Sequence, residues 1–392
     1  MLPDRVVLTW TGDPATSQAV TWRTSTKVEQ AFAQIAVASG NPSFTKDAEQ
    51  IDASTQALKA DLGPAHFHTA EFAGLTPATK YAYRVGDGTN WSEWFHFTTA
   101  HDEAKPFSFI YFGDAQNNIR SMWSRVIREA YSDAPKASFF LHAGDLVNRA
   151  ESDAEWGEWF GAGGHLNAMT ASVAVPGNHE QAIQESGTRR LSHHWRPSFA
   201  FPENGPDGLR ESCYTFVYQG VRFVCLNSNT KLAEQAAWLE TTLKRNEEKW
   251  VVCTFHHPVF STGNERDNPE LRKQWKPILD KYRVDLVLQG HDHTYGRTGL
   301  KTPVIKNVAE GVNHVDEETG TVYVVSVSGP KMYKLQRHEF MKKQLANTQL
   351  YQIIRIDGDQ LRYEARTAVG ELFDAFELKK QQGKINQLVE LV

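Results

Sequence analysis

Six side chains able to bind hard or borderline metal ions follow apolar runs in this chain: Asp114, Asp145, Asn178, His256, His291 and His293. All offer oxygen or nitrogen, and no thiolate joins them. The last two lie in Val287-Leu288-Gln289-Gly290-His291-Asp292-His293. Two imidazoles one residue apart, on chain leaving a strand, can face two partners a few ångströms from each other. One metal ion has no use for six such groups arriving from five strand ends. Two ions do, with one carboxylate shared between them, and Asp145 is the natural bridge. Two ions about 3.5–4 Å apart can hold a bridging hydroxide and clamp both ends of an in-line displacement at phosphorus. Coordination lowers the pKa of water from about 15.7 to about 7, so the nucleophile exists near neutral pH. Taken singly, each group has a plainer reading. A Gly-Asp after a strand caps a turn, Asn178 is a turn residue, and His256 is a satisfied core histidine. Their shared order and placement argue against five separate coincidences.

The elements that would carry these groups are legible as alternating strands and helices. Phe107–Phe112 and Ser138–Ala143 are apolar runs ending in Gly113-Asp114 and Gly144-Asp145. Val173-Ala174-Val175-Pro176 leads into Gly177-Asn178-His179, Trp250–Phe255 ends at His256, and Val284–Leu288 ends before Gly290. Between them, residues 119–131, 232–245 and 269–282 repeat apolar positions with helical period. Strands alternating with helices predict a mostly parallel or mixed sheet covered on both faces, with ligands at the strands' C-terminal edge. Residues 156–209 are long, aromatic and weakly periodic, and are expected to form a loop at the lip of the site. Residues 321–327, 349–356 and 361–366 return to strand texture, and the chain is expected to end in a polar tail.

Ahead of this, residues 5–99 read as all-β, with short β-branched and aromatic runs such as Val6–Trp10, Ala19–Arg23 and Tyr81–Val85 between turns. Leu75-Thr76-Pro77-Ala78-Thr79-Lys80-Tyr81 has the spacing of a tyrosine corner. The segment resembles a fibronectin type III domain, expected to pack against the rest. Residues 100–106 look like the linker.

Composition narrows the function. The 392 residues suggest two or three domains, and 40% hydrophobic content suffices for a sizeable core. A net charge of -5 without a basic stripe indicates no nucleic-acid or anionic-membrane partner. No apolar run approaches the ~20 residues that cross a bilayer. No signal-peptide pattern opens the chain at Met1. Cys213, Cys225 and Cys253 cannot form a disulfide framework, and the latter two read as buried hydrophobes.

The ordered set Gly113-Asp114, Gly144-Asp145, Gly177-Asn178-His179-Glu180, His256 and Gly290-His291-Asp292-His293 resembles the calcineurin-like metallophosphoesterases, and among them the purple acid phosphatases. The resemblance implies an α/β (α+β) fold: a four-layer β-sandwich flanked by helices over residues 102–380, with an immunoglobulin- or fibronectin-like sandwich over 1–101 and a tail over 381–392. It implies one ion on Asp114, Asp145 and His293, and a second on Asp145, Asn178, His256 and His291. The pair would be iron, zinc or manganese. His179 would face the substrate, where a cation or proton donor offsets transition-state charge. The implied activity is hydrolysis of small phosphomonoesters, with phosphodiesters as the alternative. The implied location is extracytoplasmic: secreted, periplasmic or cell-surface.

The chain departs from the family at the first ion. Asn148 stands where purple members place a tyrosine, and Gln116 where the wider superfamily places a histidine. Either residue, as a neutral ligand, or water could complete a weaker, more exchangeable site without a purple band. Arg266 could bind phosphate as a guanidinium fork, and His257 and the His193-His194 pair are further pocket candidates; each is equally a surface or supporting residue. A rival from another class is a binding or adhesion protein whose metal site has decayed, as Gln116 and Asn148 would suggest. The six main groups being all present speaks against it.

Overall fold

The computed structural model describes residues 2–305 and 314–392. The N-terminal part is a sandwich of two four-stranded antiparallel sheets. One runs Asp4–Thr9, Ser17–Ser25, Gly63–Ala73, Ser54–Ala60, and the other Glu49–Asp52, Phe32–Val37, Lys80–Gly86, Phe95–Thr98. Glu49–Asp52 and Ser54–Ala60 carry no strand signal in the sequence because they are edge strands with mostly exposed side chains. The tyrosine corner forms: the Tyr81 hydroxyl accepts the Thr76 N–H at 2.9 Å.

The remainder is built on two seven-stranded sheets. In the first, Ala171–Ala174, Phe139–His142 and Phe107–Phe112 run parallel. Leu350–Asp357, Gln360–Thr367, Leu372–Lys379 and Gln387–Glu390 then continue antiparallel. In the second, Val221–Cys225, Trp250–Thr254, Leu286–Gln289 and Val322–Val325 are parallel, flanked by antiparallel strands. Successive side chains point to opposite faces. Trp250 and Val252 therefore pack in the larger core, while Val251 and Cys253 meet Leu239, Leu243, Trp275 and Leu279 of the covering helices Leu232–Lys244 and Pro269–Lys281. Both faces being apolar is why these strands read as unbroken hydrophobic runs.

Two expectations are corrected. Residues 156–209 are no simple loop: they include most of the helix Asp153–Gly163, the helix His165–Met169 and the strand Ala171–Ala174. Trp156, Trp159, Phe160 and Ala162 are all buried, so the first helix has apolar neighbours on several sides and shows no single apolar stripe. The segment 381–392 is likewise more than a tail. Gln387–Glu390 adds the last strand of the first sheet, and Glu390 reaches the buried Arg297 at 2.7 Å. A four-residue strand of partly exposed side chains leaves little apolar alternation to read.

The two parts share one core. Trp10 meets Phe139 with ring centroids 5.6 Å apart, and both belong to a single buried cluster. Around it the Tyr83 hydroxyl donates to the Ala168 carbonyl at 2.6 Å, and Asp153 accepts from Arg5 at 2.7 Å and Arg23 at 3.0 Å. Asp153 and Arg5 keep side-chain exposures of only 5% and 6%, so removing the acid strands a buried guanidinium. Asp153→Ala is expected to lower stability by about 3–5 kcal/mol in denaturant unfolding, with the loss shared by probes in both parts.

Candidate metal centre

Every candidate donor sits where a parallel strand stops. Asp114 follows Phe107–Phe112, Asp145 follows Phe139–His142, and Asn178 follows Ala171–Ala174. His256 follows Trp250–Thr254, and His291 and His293 follow Leu286–Gln289. The turns are tight because side chains must pass close to backbone. A Cβ on Gly290 would lie 2.2 Å from Asp114 Oδ1, and one on Gly177 would lie 2.1 Å from Asp145 Oδ1. Asp145, His291 and His293 have φ of 51°, 77° and 47°, left-handed values that are uncommon outside glycine. Such strain clusters where surrounding contacts enforce a functional geometry.

Two groups of donors result. Asp145, His256 and His291 place one ligand atom each within 4.8 Å of one another, and so do Asp114, Asp145 and His293. Asp145 belongs to both. Asn178 joins the first group, with Oδ1 3.1 Å from His256 Nε2. His256 Nε2 also lies 3.2 Å from Asp145 Oδ2 and 3.0 Å from His291 Nδ1. In the second group His293 Nε2 lies 3.1 Å from Asp114 Oδ2. The outer nitrogens are engaged: His256 Nδ1 with the Ala143 carbonyl at 2.9 Å, and His293 Nδ1 with the Lys331 carbonyl at 2.8 Å. A carbonyl can only accept, so these nitrogens donate and each Nε2 is the ring atom turned inward. That is how metal-binding histidines are held, and the donor set fits hard or borderline divalent ions.

Electrostatics agree with a site built for positive charge. Burial opposes ionisation of Asp114, yet His293 and His256 hold its carboxyl at about 2. Burial would lower His256, but Asp145 and Asp114 raise it to about 9. Behind the pair sits Glu180, fully buried. It accepts backbone N–H groups from Asp145 at 2.8 Å, Leu146 at 2.8 Å, Val147 at 3.2 Å and Gly177 at 2.7 Å. Burial and the Asp145 charge push Glu180 up to about 8, against the pull of those amides.

Residues 3–99 match the family of purple acid phosphatase N-terminal domains, and residues 107–295 match the calcineurin-like phosphoesterases. These matches place the chain's resemblance in the calcineurin-like phosphoesterase superfamily. Within it, its likeness is to the purple acid phosphatases. An uncharacterized Mycobacterium tuberculosis protein is 28% identical over 66% of this chain and 57% of its own length. Purple acid phosphatase 13 of Arabidopsis thaliana is 26% identical over 67% of this chain and 54% of its own. The match thus spans little more than half the length of these relatives. A purple acid phosphatase from yellow lupin seeds superposes with a TM-score of 0.78 over 96% of this chain and 74% of its own, at 18% identity. PhoD does so at 0.71 over 99% and 91%, with 12% identity. At such identities the structures establish a shared architecture.

The remaining residues marked by the sequence fall unevenly around the site. His179 donates its backbone N–H to Asp145 Oδ1 at 2.8 Å, and its Nδ1 bonds the Asn148 carbonyl at 2.6 Å, leaving Nε2 free. Asn148 thereby enters through its backbone. Gln116 lies inside the second donor group, with Nε2 3.0 Å from both Asp145 Oδ2 and His293 Nε2. Arg266 contacts His291 Nε2 and donates to Asp292 at 2.9 Å. His257 packs 4.3 Å from the His291 ring, and burial together with His256 pushes it down to about 3. His194 is not brought to the site: it is buried against Trp156 and lies 3.7 Å from Asp153, beside the N-terminal sandwich. His193 is exposed and faces Glu151 at 3.5 Å.

Three contributors escape sequence reading. Glu180 stands inside the motif but shows its role only through the four amides it collects. Asp292, fully buried, accepts from Thr262 at 2.6 Å, Gly263 at 3.1 Å and Arg266, and so folds a distant loop over the site. Tyr333 packs against His293 with ring centroids 4.5 Å apart, beneath Arg266 and Lys331, from a stretch with no periodic signal.

Two outcomes follow from this geometry. Gly290→Ala forces the Asp114 carboxylate aside, and metal analysis of the purified variant should show at least one ion fewer per chain than wild type. Below about pH 9 an incoming ion must displace the His256 proton. Apparent affinity measured by metal titration at pH 6, 7 and 8 should therefore rise with pH, about tenfold per unit for each proton released, and level off above about 9.

Proposed function

We propose that this protein is a dinuclear metal-dependent phosphoesterase that hydrolyses phosphomonoesters. The observation that carries the reading is the sharing of Asp145 by two donor groups, each completed by histidine. Asp114, Asp145 and His293 would hold one ion, and Asp145, Asn178, His256 and His291 the other. Iron, zinc and manganese all suit these donors. Such a pair, when bound, supplies an activated water and neutralises charge at phosphorus.

The chain's own residues do the rest. Asp145, fixed by Glu180 from behind and by the His179 N–H in front, sets the spacing between the two halves. The Asn148 carbonyl holds His179 Nδ1, so Nε2 is the ring atom available to donate to a phosphoryl or leaving oxygen. Arg266, braced by Asp292, brings a guanidinium to the rim for an anionic ester. His257, kept neutral and bonded to Ser228 at 2.8 Å, lines the same edge. A small phosphate ester is the proposed partner, in an extracytoplasmic setting. Among the described residues no helix is long and apolar enough to cross a membrane.

Metal analysis paired with hydrolysis of an aryl phosphate and its bis-aryl diester tests this reading. Wild type should hold two ions per chain and prefer the monoester; preference for the diester would reassign it as a diesterase. Asp145→Asn should lose an ion and all turnover. His179→Asn should keep both ions and lose about 10²–10⁴ in kcat, the usual worth of a positioned proton donor. One ion or none, with no turnover after adding manganese, iron or zinc, would overturn the proposal.

A further inference from the structure

The second donor group has only three charged or imidazole donors, Asp114, Asp145 and His293, and the Gln116 amide fills the fourth corner. Gln116 is fully buried. Its Nε2 spans Asp145 Oδ2 and His293 Nε2 at 3.0 Å each, while its Oε1 has no hydrogen-bond partner among the described residues. Asp114 Oδ2, 3.1 Å from the same His293 nitrogen, also accepts no hydrogen bond. Two inward-facing acceptors thus converge on one amide, which lends them a donor and leaves its own oxygen unsatisfied, with the unsatisfied Asp114 Oδ2 beside the same imidazole. Buried amide oxygens are rarely left so.

We propose that Gln116 is a ligand of the ion held by Asp114, Asp145 and His293, reached by a half-turn of its terminal amide that exchanges Nε2 for Oε1. The two ends of the amide have the same size and shape, so the turn needs no movement of the packed side chain. It removes the N–H groups from between Asp145 and His293 and brings a hard, neutral oxygen into the corner they vacate. The half-turn resolves the unsatisfied oxygen and the crowded acceptors together. Asn148, the other candidate, is committed elsewhere through its backbone, to His179 and to Glu155 at 2.8 Å.

Charge then sets the metal. Around this ion stand Asp114 and the shared Asp145, with His293 and Gln116 both neutral. Two carboxylates, one of them shared, balance a divalent ion but under-neutralise a trivalent one. This half of the centre should therefore favour a divalent ion, such as manganese or zinc, over ferric iron.

The inference rests on the dinuclear reading, and one experiment separates the two. Metal-stripped wild type, Gln116→Met and Gln116→Glu are titrated with Mn²⁺ and with Co²⁺, followed by calorimetry and by Co²⁺ visible absorption. Both variants keep the length of the side chain; the first removes the oxygen and the second makes it charged. Wild type should bind two ions of unequal affinity. Gln116→Met should weaken one site at least tenfold and change its Co²⁺ band, with the other site within threefold of wild type. Gln116→Glu should tighten that same site at least tenfold. Both variants within threefold of wild type at both sites would overturn the Gln116 assignment alone. A wild type that binds fewer than two ions would overturn the dinuclear reading beneath it. Should Gln116→Met fail to fold, Gln116→Glu decides by itself.

Discussion

The centre depends on one buried acid behind the donor groups. Glu180 gathers backbone N–H groups from Asp145, Leu146, Val147 and Gly177, tying the ends of two neighbouring parallel strands into one rigid unit. Asp145 sits within that unit at φ 51°, a backbone state that a free loop would abandon. Four amide donors on one acid offset that strain and aim the Asp145 side chain between the two donor groups. Without that aim, His256 and His293 would face separate pockets with no carboxylate in common.

The same economy recurs across the pocket. Asp292 is the residue between the two histidines, and it points away from them into a loop that it holds through Thr262, Gly263 and Arg266. The dipeptide-spaced histidine pair, both residues in left-handed backbone, thus puts both imidazoles on the site and the intervening acid on its scaffold. Glycines before Asp114, Asp145, Asn178 and His291 complete the pattern. Where a Cβ would meet Asp114 or Asp145 within about 2.2 Å, no other residue leaves room.

The N-terminal sandwich is held by the same kinds of force that hold the two seven-stranded sheets. Its Trp10 is buried among Phe139, Phe216 and Tyr218 of the second part, and Asp153 of the helix Asp153–Gly163 anchors Arg5 and Arg23. A shared core of this kind argues for a rigid support beneath the two seven-stranded sheets. His194, a pocket candidate in the sequence, belongs to this seam, packed against Trp156.

The sequence by itself determined the two-part organisation, the parallel strands and the donors at their ends, because apolar runs and the glycines that stop them are local patterns. It also marked His179, Gln116 and Asn148 as positions to watch. Tertiary structure decided what those residues do. That Gln116 faces Asp145 and His293 while Asn148 offers its carbonyl to His179 depends on which side of a turn each side chain leaves, a matter of left-handed backbone at Asp145 that no periodicity encodes. Helix Asp153–Gly163 and strand Gln387–Glu390 were hidden for opposite reasons: the first is apolar on too many sides to show a stripe, the second too short and exposed to alternate. Glu180, Asp292 and Tyr333 act through partners distant in sequence or through backbone amides, and only the folded chain brings those together.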